Sequence, residues 1–215
     1  MKIAFLLSSL TLAAGLLAGC VPVLIGAAGG MAATTIDDRR RTGVQIDDEG
    51  IELRAGNRIS ERYSDQVHVN ATSYNYNLLL TGEVPDAKVR EDIEKIARAV
   101  PGVRGVSNEL EIAGISSLGA RTNDSYITSK VKASFIDARK FSPVHVKVIS
   151  ENGVVYLLGI VLEQEANDAV ELARTVGGVR KVVKIFEYCK PGDEVCPAPT
   201  KTEPADPQRS ARPAS

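Results

Sequence analysis

Asn152-Gly153-Val154-Val155-Tyr156-Leu157-Leu158-Gly159-Ile160-Val161 is the stretch on which the fold turns. Asn-Gly ahead of an apolar run signals a two-residue hairpin turn, because both residues tolerate the positive φ such a turn needs. The run that follows carries no charge and reads as a buried strand. Ahead of the turn, Val144-His145-Val146-Lys147-Val148 alternates apolar and polar residues and supplies a partner strand. Further upstream, Asp124 is placed to cap a helix carrying Ile127, Val131 and Phe135 on one face. Downstream, residues 163–176 predict a second helix with Ala166, Ala169, Val170 and Ala173 inward, stopped by Gly177-Gly178. Val182-Val183-Lys184-Ile185-Phe186 closes the unit as a third strand. The order is helix, strand, strand, helix, strand.

The same unit stands earlier in the chain. Val67-His68-Val69 answers Val144-His145-Val146, and Gly82 answers Gly159, both at a shift of 77. Gly102-Val103-Arg104 answers Gly178-Val179-Arg180 at a shift of 76. In this copy Asp47 or Asp48 can cap a helix bearing Ile51, Ala55 and Ile59. Asn75 and Asn77 supply turn chemistry, and Leu78 to Val84 is the buried strand. Asp86 caps a helix with Val89, Ile93, Ile96, Ala97 and Val100 on one face, ended by Pro101-Gly102, and Val106 to Ile112 is the last strand. The expectation is an α+β chain of two tandem domains, residues 43–114 and 122–188 around a linker at 115–121. Each has two helices packed on a three-stranded mixed sheet.

Ahead of the repeats, Lys2 precedes an apolar run from Ile3 to Leu17, the form of a secretory signal. Leu17-Ala18-Gly19-Cys20 resembles the lipobox of bacterial lipoproteins, in which the cysteine is acylated after cleavage. The reading is a signal peptide at 1–19, a lipid-modified Cys20 and a flexible tether through residue 42. Val21 stands where an Asp would signal inner-membrane retention in enterobacterial lipoproteins, so that resemblance implies an outer-membrane anchor facing the periplasm. Residues 189–215 are rich in Pro, Thr, Ser and charge and are expected to be disordered. Within them Cys189 and Cys196 are either a disulfide, as an oxidising compartment favours, or two free thiols.

A net charge of -1 gives no basic field for nucleic acid. Hydrophobic residues at 44 % supply real cores, and the absence of Trp makes them aliphatic. With two histidines and no Cys-x-x-Cys, neither a metal site nor a cofactor is expected. His68 and His145 share one repeat position between valines, a structural slot more than a catalytic one, and no nucleophile elbow or phosphate loop is present. Catalysis is not expected.

The unit resembles the BON domain (bacterial OsmY and nodulation). The likeness rests on Asn152 to Gly159 and on Val176-Gly177-Gly178-Val179-Arg180-Lys181-Val182, answered by Leu78-Leu79-Leu80-Thr81-Gly82 and Val100-Pro101-Gly102-Val103-Arg104-Gly105-Val106. A lipobox followed by two such domains is the layout of dual-BON outer-membrane lipoproteins, and Thr122 to Lys132 is particularly similar to them. The resemblance implies a non-enzymatic lipoprotein that binds anionic phospholipid, phosphatidylglycerol or cardiolipin, through its second domain. It also implies support of outer-membrane integrity at the division site.

The residues themselves point the same way. At about 100° per residue, Ile127, Val131, Ser134, Phe135 and Ala138 share the core side of their helix. Tyr126, Ser129, Ala133, Ile136 and Lys140 gather on the opposite side, flanked by Lys130, Lys132 and Arg139. An apolar face with cationic edges suits an interface rich in anionic lipid. The matching helix of the first domain offers the more acidic set Glu49, Glu52, Arg54, Asn57, Arg58 and Glu61. Two alternatives stay open: Tyr126 and Ile136 pack against the first domain, or the chain, a monomer, docks envelope machinery such as the outer-membrane assembly complex or peptidoglycan.

Overall fold

The computed structural model describes residues 38–196. The signal, Cys20, most of the tether and the tail beyond 196 lie outside the described residues.

The first domain opens with α1 (Thr42–Tyr63), followed by a 3₁₀ turn at Ser64–Gln66. Next come β1 (His68–Tyr74), β2 (Asn77–Val84), α2 (Ala87–Arg98), β3 (Gly105–Asn108) and β4 (Glu111–Ile112). β1 runs antiparallel to β2, while β3 and β4 pair parallel with β2. The last strand expected as one piece is thus two. The second domain repeats the order: α3 (Leu118–Ala138), a 3₁₀ turn at Pro143–His145, β5 (Lys147–Glu151), β6 (Val154–Val161), α4 (Glu163–Thr175) and β7 (Lys181–Tyr188). β6 is central, antiparallel to β5 and parallel to β7.

The inward residues expected from spacing form the two cores. Ile51, Ala55 and Ile59 meet Leu78, Leu80, Ile93 and Ala97 in the first. Ile127, Val131 and Phe135 meet Val155, Leu157, Ala166, Ala169 and Ala173 in the second.

Two helix starts differ from expectation. α1 begins six residues before Asp48, and α3 begins at Leu118, capped by Ser117, inside the stretch read as a linker. Asp48 and Asp124 therefore cap nothing on their own helices. Each is buried one turn or more inside and reaches across to the hairpin of its own domain. Asp48 accepts the backbone N–H groups of Asn75 and Tyr76, both at 2.8 Å, and the Ser73 hydroxyl at 2.7 Å. Asp124 accepts those of Asn152 and Gly153, both at 2.8 Å. The turns have positive φ at both central residues, 51° and 67° in the first and 48° and 71° in the second. That conformation turns the turn amides toward one acceptor.

The segment expected as strand from Val144 is also different. Pro143 starts a 3₁₀ turn, since its ring fixes φ and it needs no donor there, and the strand begins only at Lys147. His68 therefore lies in a strand and His145 does not. The first-turn helices match at a shift of 76 (Asp48 and Asp124), whereas the strands match at 77, so one residue is added around this turn.

A third apolar cluster joins the domains. Tyr74 and Leu79 of the first sheet pack with Val154, Tyr156, Leu158 and Ile160 of the second. These are the sheet faces turned away from the helices, so β2 and β6 are covered on both sides. Polar pairs ring the seam: Asn75 and Asn77 donate to Glu187, Lys147 to Glu52, and Asn152 to Glu111. Burial pushes the Tyr74 hydroxyl up to about 12 and the Tyr156 hydroxyl higher still.

Both ends of the domain pair close on this seam. Arg39, read as tether, makes a two-pronged pair with Glu165 and donates to the Ile160 carbonyl of the second domain. Arg40 pairs with Asp48 of the first and lies 4.1 Å from the Tyr74 ring centre. Residues 189–196, read as the start of a disordered tail, are instead ordered: a disulfide joins Cys189 to Cys196, and Cys196 is fully buried in the seam cluster. Replacing Cys196 with Ser is expected to lower stability by about 2–3 kcal/mol, the chain-entropy value for a loop this short. Denaturant unfolding of the oxidised protein checks it, and an unchanged midpoint would show that the loop adds nothing to the seam.

Candidate functional site

α3 is apolar on two opposite sides. Its inner stripe of Ile127, Val131 and Phe135 is almost fully buried. On its outer stripe Tyr126 is 62 % exposed and Ile136 60 %. Neither packs on the first domain, because the two domains meet through their sheets. Ser129 and Ala133 lie exposed between them, and the Ser129 hydroxyl is turned back onto the Ser125 carbonyl at 3.0 Å.

The basic rim is present but partly engaged. Lys130 donates to the Gly177 carbonyl, and its Nζ lies 4.6 Å from the centre of the Tyr126 ring. That contact steadies the ring on the outer face. Lys140 pairs with Asp168 at 2.8 Å, and this hydrogen bond, with one from Gln164, holds the Asp168 carboxyl below its ordinary range. Lys132 and Arg139 are exposed and make no ion pair among the described residues. Arg139 ends the helix in the left-handed region, φ 51°, which breaks the helical course of the chain after Ala138.

The first domain supplies a control for this face. At the helix shift of 76, Tyr126 is answered by Gly50, Lys132 by Gly56 and Ile136 by Ser60. Arg54 and Arg58 donate to the Pro101 and Ala99 carbonyls at the end of α2, as Lys130 does at the end of α4. What the sequence reading missed is a smaller apolar pair on α1, Ile46 and Leu53, each 65 % exposed. Their spacing of seven residues was a visible signal.

Sequence reasoning also missed a polar cleft of about 500 Å³ beside α3, lined by His68, Asn70, Arg121, Thr128, Lys132 and Glu151 among others. No local pattern announces it, since its walls come from both domains. Burial raises the Glu151 carboxyl above its ordinary value, and the nearby Glu83 and Asp124 charges add to this. Glu165 moves the other way. Burial alone would raise it, but hydrogen bonds from Arg39 and the Leu162 N–H, with the charges of Arg39 and His145, hold it below its ordinary value. His145 lies 3.3 Å from Glu165 and so belongs to this structural pairing.

No helix of the described residues is long and apolar enough to cross a membrane. The BON domain is matched twice, at residues 47–114 and 123–190. The chain is 42 % identical over 175 residues to the outer membrane lipoprotein DolP of Haemophilus influenzae, covering 80 % of this chain and 90 % of that protein. It is 33 % identical over 153 residues to the 21 kDa hemolysin of Actinobacillus pleuropneumoniae, covering 70 % of this chain and 79 % of the relative. The solved structure of CdsD, a structural protein of the type III secretion system of Chlamydia trachomatis, aligns over 67 % of this chain and 92 % of its own. The two are 14 % identical, with a TM-score of 0.28.

Proposed function

The chain belongs to the BON-domain family, and from that premise we propose that it is an outer-membrane lipoprotein whose second domain binds anionic phospholipid. Cys20 is the lipid-modified residue, 1–19 the signal, and the domains face the periplasm. The name of the Haemophilus relative supports the lipoprotein part of this reading. The observation that carries the lipid part is the outer face of α3, where Tyr126 and Ile136 are 62 % and 60 % exposed. Lys132 and Arg139 beside them are not spent on carboxylates among the described residues. The ring and the branched side chain enter the acyl boundary while the cations meet phosphates, each cation worth about 1 kcal/mol near such a surface. The anchor holds the domain at high local concentration, so a modest affinity suffices. The role is non-catalytic, needs no cofactor, and supports outer-membrane integrity at the division site, with the chain acting as a monomer.

The test is sedimentation of residues 34–196 with liposomes with and without phosphatidylglycerol or cardiolipin. Wild type is expected to pellet with the anionic liposomes and to be released by salt. Tyr126→Glu, folded by circular dichroism, is expected to lose binding at least tenfold. Wild type that stays in solution with every liposome would end this reading. The second reading, docking of outer-membrane assembly machinery or peptidoglycan, is favoured by Ile46 and Leu53 on α1. It predicts loss of function in Leu53→Glu with lipid binding absent in wild type as well.

A further inference from the structure

We propose that His68, Glu83 and Glu151 form a divalent-metal site that bridges the two domains. It does not depend on the lipid reading. His68 and Glu83 lie directly across from one another on β1 and β2. Glu151 comes from the end of β5 in the second domain. One ligand atom from each residue lies within 4.8 Å of the other two. His68 Nδ1 is 2.9 Å from Glu83 Oε2 and 3.8 Å from Glu151 Oε1. Ligands at about 2.1 Å around a tetrahedral ion sit about 3.4 Å apart, and the two observed spacings straddle that value.

The surroundings fit a ligand set. Glu83 and Glu151 are 2 % and 7 % exposed. Two buried carboxylates face one imidazole, which by itself leaves an excess of negative charge in the seam. A divalent ion held by neutral His68 balances both. The outer contacts orient the carboxylates: Ser116 N–H donates to Glu83 Oε2, and the Asn70 amide donates to Glu151 Oε2. One further buried polar group stands on the same sheet face. Thr81, across from Asn70 on the same sheet face as Glu83, is 1 % exposed, and its hydroxyl has no hydrogen-bond partner among the described residues. A hydrated ion at the cluster would give that hydroxyl a polar neighbour. The cleft lined by His68 and Glu151 supplies an entry path; Arg121 and Lys132 also line it, and Asp124 adds a third carboxylate.

One imidazole nitrogen and two carboxylate oxygens select a first-row ion, zinc ahead of calcium or magnesium, which favour all-oxygen sets. Because the ligands span both domains, the ion would hold the seam closed.

The experiment uses the purified full chain in detergent, oxidised and stripped with chelator, and titrates Zn²⁺ against a chromophoric competitor. Thermal unfolding is followed with and without the ion. One equivalent is expected to bind at micromolar concentration or tighter and to raise the melting temperature by several degrees. Glu151→Gln and His68→Gln are expected to weaken binding at least tenfold and to abolish the thermal shift, while His145→Gln keeps both. If His68→Gln does not fold, Glu83→Gln replaces it. No binding below about 100 µM, or binding that Glu151→Gln leaves intact, overturns the proposal.

Discussion

Gly82→Ala is expected to cost at least about 4 kcal/mol and to leave the first domain largely unfolded. A Cβ at this position would lie 2.0 Å from the His68 carbonyl oxygen, a backbone atom held in the β1–β2 ladder. The residue also has φ 115°, where an L side chain is strained whatever the space. Neither problem can be relieved by a rotamer change. Gly159→Ala, the same position in the second repeat, meets the His145 carbonyl at 2.3 Å and is expected to lose about 3 kcal/mol or more. Gly56→Ala supplies the contrast. It sits in α1 with nothing within 4 Å of the added atom, and it should gain about 0.5–1 kcal/mol from helix propensity. Urea unfolding of the three variants decides the matter. A Gly82→Ala protein within 1 kcal/mol of wild type would mean that the strand crossing is far softer than described.

The second large effect is expected from Asp48→Ala, at about 3–5 kcal/mol, with Asp124→Ala at about 2–4 kcal/mol. Asp48 is the shared acceptor for two turn amides and the Ser73 hydroxyl, and it also receives Arg40 at 2.9 Å. Removing it strands these donors in a site 2 % exposed and frees the Arg40 link to the seam. Asp124 has only the two turn amides, so its loss is smaller. Hydrogen exchange gives a second reading. The amides of Asn75 and Tyr76 should lose protection in Asp48→Ala, and those of Asn152 and Gly153 in Asp124→Ala, beyond what the drop in global stability explains. Unchanged protection at those four amides would show that the hairpins close without the helices.

Asp48 and Asp124 also show where reading by pattern stops. An Asp just ahead of an apolar periodic run is a helix cap in most sequences. Here the helices continue upstream through residues with little periodicity, and the carboxylates satisfy turns that are distant in sequence. The repeat itself was legible, because each copy carries its own core spacing. So was the outer face of α3, because a helical wheel needs only local positions. The seam was not. Leu79, Tyr156 and Leu158 stand in runs that read as buried strands, yet nothing in those runs says what covers the face away from the helices.

Two copies of helix, strand, strand, helix, strand are written in the local pattern of residues. Turn chemistry, helix stops and apolar spacing are local properties, each set within a few residues of chain. Long-range packing sets the two sheets back to back, closes Arg39 and the Cys189–Cys196 loop on their seam, and brings His68, Glu83 and Glu151 together. Those outcomes depend on which exposed apolar surfaces find one another. Burial is non-directional, and its partner is set by the whole domain's shape, which no short pattern encodes.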